Sequence, residues 1–156
     1  MTGSPVDIQA RRTLTATPEE IFGFLADLEN HWLITDRFVE IVDLAGPPGA
    51  RTGGRVRVRG PLGVRRTATT SVDFASPVRE MGGSAQISGG TVARVRWLLT
   101  PNGRHTDVTL GATIERAGPL DRLLLRAGGM AWMRSRFEGA LRRLEHLLGL
   151  ASVSEA

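Results

Sequence analysis

The sequence predicts an α+β fold in which an antiparallel meander is covered by one long C-terminal helix. Three observations carry this. Between Phe38 and Glu115 apolar and polar residues alternate in short runs separated by Gly, Pro and Asn, the period-2 signature of strands with one buried face. From Gly118 to Leu148 the period becomes that of an amphipathic helix of roughly eight turns. Strands joined by connections this short pair antiparallel, and their apolar face is left for the helix to cover.

In chain order, Val6, Ile8, Ala10 and Leu14 share one face of a first strand, with Arg12 the exception on that face. Thr17-Pro18-Glu19-Glu20 then opens a short helix. Thr17 can cap, Pro18 fits the first helical position, and Glu20 stands where a capping box needs a carboxylate. Ile21, Phe22, Phe24, Leu25 and Leu28 pack inward, and Asp27 to Asn30 joins this helix to a second short one carrying His31, Trp32 and Leu33. Strands follow at Phe38 to Leu44, Gly54 to Arg59, Val64 to Phe74, Val78 to Ser88, Thr91 to Thr100 and His105 to Glu115. The Asn102-Gly103 pair between the last two is the clearest hairpin signal. Leu44 to Gly54, rich in Pro and Gly, is a candidate lid.

On the long helix, Leu123, Met130, Phe137, Leu141 and Leu148 fall on one line at about 100° per residue, with Leu120 and Ala127 beside them and Arg122, Arg126, Arg136 and Arg143 opposite. Pro119 suits the start, Asp121 the positive helix end, and Gly149 the stop. Gly128-Gly129 interrupts the pattern at ~1 kcal/mol per Gly against Ala. Such a pair either kinks the helix and widens whatever lies beneath it or permits close approach of a strand. Leu125, Trp132 and Met133 fall off the line, so a second subunit in a homodimer or the first strand covers them, or they form an exposed patch.

The composition narrows the chemistry. At 156 residues the chain is one domain, residues 5–149, with tails at 1–4 and 150–156. It carries no Cys and no Lys, which excludes disulfides, thiolate metal sites, thiol nucleophiles and Schiff bases. Its 20 basic residues are all Arg, spread over strands and helix at a net charge of +4, without Tyr to stack on bases. That is not the pattern of a nucleic-acid binder. The three His show no metal spacing, and no run reaches the length of a membrane span. A cytoplasmic protein without stable membrane insertion is expected.

The order strand, two short helices, six strands and long helix resembles the START-like (SRPBCC) superfamily. So do Ala16-Thr17-Pro18-Glu19-Glu20-Ile21-Phe22 at the first helix and Asp27-Leu28-Glu29-Asn30-His31-Trp32 at the joint. That superfamily holds polyketide cyclases and dehydratases, lipid-transfer domains and plant hormone-binding proteins. The resemblance spans residues 5–148. It implies a helix-grip fold, a curved seven-stranded antiparallel sheet around the long helix with an elongated apolar cavity between them. Gly82, Gly83, Ala85, Ala93, Gly111 and Ala112 fit either room left on a curved sheet or bulges and bends.

The expected function is to bind an apolar or aromatic small molecule, lipid- or polyketide-like, in that cavity without a cofactor or metal. The lining expected is Phe24, Trp32, Val58, Ala68, Trp97, Leu110, Ala127, Met130 and Glu138. Catalytic candidates serve an alternative, a cyclase, aromatase or dehydratase. The resemblance places Arg66 where aromatase/cyclases use a strand Arg to position a polyketide carbonyl, although those pockets also use Tyr; the alternative is a solvated Arg at the sheet edge. Arg134 lies on the helix line with Glu138 at i+4, either reaching a ligand or snorkelling to the rim. His31 sits where an imidazole can move protons near neutral pH, or simply pack beside Trp32. A third reading is a protein-interaction module using Arg55, Arg57, Arg59 and the Trp132 surface.

Overall fold

The computed structural model describes residues 6–35, 39–47, 52–60 and 63–154, without the side chains of Glu29, Trp32, Phe74 and residues 150–154. Strand β1 (Val6–Leu14) is followed by helix α1 (Pro18–Ala26), a single 3-10 turn, and helix α2 (His31–Ile34). Strands β2 (Val39–Ala45), β3 (Gly53–Arg59), β4 (Arg65–Ser76), β5 (Glu80–Ile87), β6 (Thr91–Asn102) and β7 (His105–Arg116) form the meander. Helices α3 (Pro119–Leu124) and α4 (Met130–Ser154) complete the chain. Phe38, residues 48–51 of the candidate lid, and the terminal residues 1–5 and 155–156 lie outside the described residues.

All seven strands form one antiparallel sheet in the order β1-β7-β6-β5-β4-β3-β2. The capping box is present in both halves. The Glu20 amide donates to Thr17 Oγ1 and the Thr17 amide donates to Glu20 Oε2, each at 3.2 Å. The hairpin at Asn102 pairs that residue with His105, and Gly103 takes a left-handed φ of 64°. The outer face is laced by cross-strand ion pairs, Arg55–Asp43 and Arg57–Glu40 among them.

The core sits under one half of the sheet only. Ile8, Ala10 and Leu14 of β1 and Val108 of β7 bury against Phe137, Leu141 and Leu144 of α4, with Ile21 and Leu25 of α1 closing the end. Arg12, the inward exception, meets Glu145 of α4, its Nε and Nη2 each 3.2 Å from a carboxylate oxygen. A seven-stranded sheet is about 29 Å wide at about 4.8 Å per strand, and a helix about 10 Å across cannot cover it. Since α4 packs on β1 and β7 and α2 touches β2 at the far edge, the inner face of β3 to β5 is the part of the described sheet left without a closely packed helix.

The long helix is not continuous. Between Leu125 and Gly129 the chain leaves helical geometry at Ala127 (φ −90°, ψ 23°) and Gly128 (φ 98°, ψ 8°). This shifts the phase of the apolar stripe. Before the break Asp121 and Leu124 are buried while Leu120 and Leu123 are exposed, and after it Phe137, Ala140, Leu141 and Leu144 are buried. The line through Leu123 and Met130 predicted from an unbroken period is therefore wrong for its first two turns. Gly129 is needed where it stands, because a Cβ there would lie 2.6 Å from the Leu124 carbonyl oxygen. At the other end α4 runs through Gly149 to Ser154 instead of stopping.

Candidate functional site

The uncovered half of the sheet becomes a cavity of ≈ 360 Å³, within the range of pockets that enclose small molecules. Its floor is the inner face of β2 to β7, where Val56, Val58, Ala68, Ala85, Ala93 and Ala112 present short apolar side chains. Its roof is α2, α3, the break and the first turns of α4, through Leu124, Leu125, Trp132, Met133 and Phe137. Gly82, Gly83, Ala85, Ala93 and Ala112 all line it, whereas Gly111 does not. The room comes from small side chains on the floor and from a roof that the helix break lifts away.

Besides the hydroxyls of Thr35, Thr70, Ser71 and Ser84, which also line it, charged or titratable groups reach this space at two stations. At one, Arg66 of β4 pairs with Asp121 of α3, the two side chains only 17% and 12% exposed. Asp121 also accepts from the Thr91 hydroxyl, whose oxygen accepts from the Gly118 amide at 3.0 Å. Arg66 Nη1 donates to the Ser88 carbonyl at 3.1 Å. Burial lowers the Arg66 pKa from its ordinary value, yet a guanidinium stays charged throughout the working range, so the pair is ionic. It ties the sheet to α3 at the end where β6 begins.

The other station is His31. Its Nε2 lies 2.6 Å from the Leu25 carbonyl oxygen, which can only accept, so Nε2 carries a proton and Nδ1 is the acceptor of the neutral ring. The imidazole meets the Trp97 ring edge-on, with centroids 6.0 Å apart. Burial pulls its pKa below 6.5, against smaller raising effects of the Leu25 carbonyl and Asp27. Trp97 is six residues from Thr91 on β6, about 20 Å of strand. The stations therefore approach the cavity from opposite ends.

Of the residues singled out from the sequence, His31, Arg66, Val58, Ala68, Trp97 and Leu110 line the cavity. Phe24 packs against the core instead, and the Trp32 side chain lies outside those described. Ala127, Met130, Arg134 and Glu138 are exposed and do not line the cavity; the break turned that face outward. Trp132 and Met133, expected away from the stripe, are in the roof for the same reason. Asp121 and Thr91 were missed. An inward Arg66 requires a buried acceptor, but strand parity does not say which of the 16 acids supplies it. Among the described residues no group of His, Asp and Glu could hold a metal ion, and no helix is long and apolar enough to cross a membrane.

A family profile described as polyketide cyclase/dehydrase and lipid transport matches residues 5–149. No curated protein matches the chain. Among solved structures, the TTHA0849 protein of Thermus thermophilus is 22% identical with a TM-score of 0.69, over 94% of this chain and 99% of that one. KanY is 17% identical with a TM-score of 0.72 over the same shares. DynU16, from the dynemicin biosynthetic locus, is 16% identical with a TM-score of 0.61, over 92% of this chain and 47% of its own. At these identities the likeness is one of fold.

Proposed function

The chain belongs to the polyketide cyclase/dehydrase and lipid transport family, and from that premise we propose that it binds an elongated, largely apolar small molecule in the cavity between sheet and helices. The observation that carries this is the floor of β3 to β5 without a closely packed helix, largely apolar and built from small side chains, with a neutralised ion pair at one end. Apolar surface left unfilled forgoes roughly 25 cal/mol per Å² of burial, which a ligand of lipid or polyketide type recovers. The buried Arg66–Asp121 pair has no net charge to offer, so it suits a hydroxyl or carbonyl at that end of a ligand better than an ion.

A cyclase or dehydratase is the second reading, favoured by His31. A partly buried imidazole whose pKa is lowered from 6.5, and which keeps Nδ1 as an acceptor, is equipped to take a proton from a carbon beside a carbonyl. It would act without Arg66, which belongs to the other end of the cavity.

Native mass spectrometry of the purified protein, followed by denaturing extraction, tests for a co-purified ligand. Binding of an environment-sensitive apolar dye then compares the natural chain with an Ala68→Leu/Ala93→Leu variant that fills the floor. The dye should lose affinity at least tenfold while the fold is retained. Equal affinity in the filled variant would overturn the cavity reading. For the second reading, His31→Gln should retain dye binding and abolish turnover of a poly-β-ketone thioester.

A further inference from the structure

The roof segment has an outer side that the cavity does not use. Leu120 is 44% and Leu123 63% exposed, and Met130 is exposed in the same stretch. Leu120 and Leu123 stand at i and i+3 on α3, so they share one face. Most other large apolar side chains described are covered, with Leu33 and Val42 the exceptions elsewhere.

Charge gathers along the same segment. From Arg116 to Phe137 the sequence holds five arginines and one acid, Asp121, a net charge of +4 equal to that of the whole chain. The remainder of the protein is thus balanced, fifteen Arg against fifteen Asp and Glu. Asp121 is buried against Arg66, so the outside of this segment presents Arg122 and Arg126 with no exposed acid between them. Arg122 spends its Nε on the Ala117 carbonyl at 2.9 Å, which leaves its terminal nitrogens free to donate outward.

We propose that this outer face of α3 and the helix break docks on an anionic phospholipid bilayer. Leu120, Leu123 and Met130 enter the boundary between headgroups and acyl chains, and Arg122 and Arg126 meet the phosphates. A bilayer fits better than a protein partner because leucines projecting from a short helix among cations need a soft apolar layer beneath negative charge, and no groove to receive or offer a shaped surface. The inner side of the same segment, Leu124, Leu125 and Gly129, is cavity wall, so docking brings the roof to the lipid phase. The surface stands independently of what the cavity holds.

The test is co-sedimentation of the ligand-free protein with vesicles of phosphatidylcholine alone and of phosphatidylcholine mixed with phosphatidylglycerol, at low and at physiological ionic strength. Sedimentation should occur with the mixed vesicles and weaken with salt. Leu120→Ser/Leu123→Ser should reduce it at least tenfold at an unchanged melting temperature, since both side chains are exposed. Arg122→Gln/Arg126→Gln should reduce it roughly tenfold to thirtyfold. No sedimentation at low salt overturns the proposal. So does sedimentation that survives the leucine changes, which would be unspecific charge attraction. A concentration-dependent dimer dissolved by those changes, without vesicle binding, would instead make the face a contact between two copies of this chain. Dye binding in the absence of vesicles reports the cavity separately.

Discussion

Replacing Asp121 with Asn removes one charge from the roof of the cavity while keeping the shape and an oxygen for the Thr91 hydroxyl. It leaves Arg66 with the Ser88 carbonyl as its remaining acceptor. Breaking a fully buried ion pair costs about 3–5 kcal/mol. Side-chain exposures of 17% and 12% admit some solvent, so the expected loss is about 2–4 kcal/mol. For a domain of this size that lowers the melting temperature by roughly 5–15 °C. Urea unfolding followed by tryptophan fluorescence measures it, with the slope of the transition confirming that the denatured state is unchanged. Arg66→Met alone should cost a similar amount because it strands the carboxylate. The double variant removes both charges and should recover most of the loss, a coupling of about 1.5 kcal/mol or more. A cost below about 1 kcal/mol for Asp121→Asn, or strictly additive variants, would mean that the guanidinium is solvated and the pair does not hold α3 to the sheet.

Other substitutions test neighbouring steps. Arg134→Met should leave stability within about 0.5 kcal/mol and dye affinity unchanged, because the residue is exposed and outside the cavity; a tenfold loss of dye affinity would return it to the site. Arg12→Met, which breaks a half-exposed pair with Glu145, should cost no more than about 1 kcal/mol in the same urea titration. Gly128→Ala forces a side chain into a φ of 98° and should cost about 1 kcal/mol or more, seen as a lowered melting temperature. His31 has a folded-state pKa below its unfolded 6.5, so on acidification the unfolded chain takes the proton first. Stability should fall as pH drops below about 6.5, by at most about 1.4 kcal/mol per pH unit, and His31→Gln should flatten that slope. The Asp107 carboxylate, held below 3.8 by hydrogen bonds from Thr13 and Arg11, contributes stability that is lost only in the separate window below that value.

Much of the fold was legible because local signals agreed with it. Thr17 to Glu20 wrote the helix start, Asn102-Gly103 wrote the hairpin, and the alternation of Val108, Leu110, Ala112 and Ile114 wrote the inner face of β7. The roof was misread for one reason. A single helical phase was carried through Gly128-Gly129, which placed Met130, Arg134 and Glu138 inside and Trp132 and Met133 outside. A left-handed glycine resets the phase, and periodicity contains no term for that. The Arg66–Asp121 pair escaped because it is a contact across 55 positions that strand parity can require but cannot locate. For Arg12 the same parity argument needed an acid on the helix, and Glu145 supplies it.

The placement of β1 has a kinetic consequence. Among the described residues its only strand partner is β7, and Arg11 meets Asp107 across a separation of 96 residues and Arg12 meets Glu145 across 133. At about 5–20 residues per second of synthesis, the first strand waits roughly 5–20 s with its backbone edge open and Ile8, Ala10 and Leu14 uncovered. Pairings this distant also slow the folding of the finished chain. Made well before its partners, β1 is therefore among the last of the described strands to find its place, and in the interval its open edge needs protection from other nascent chains.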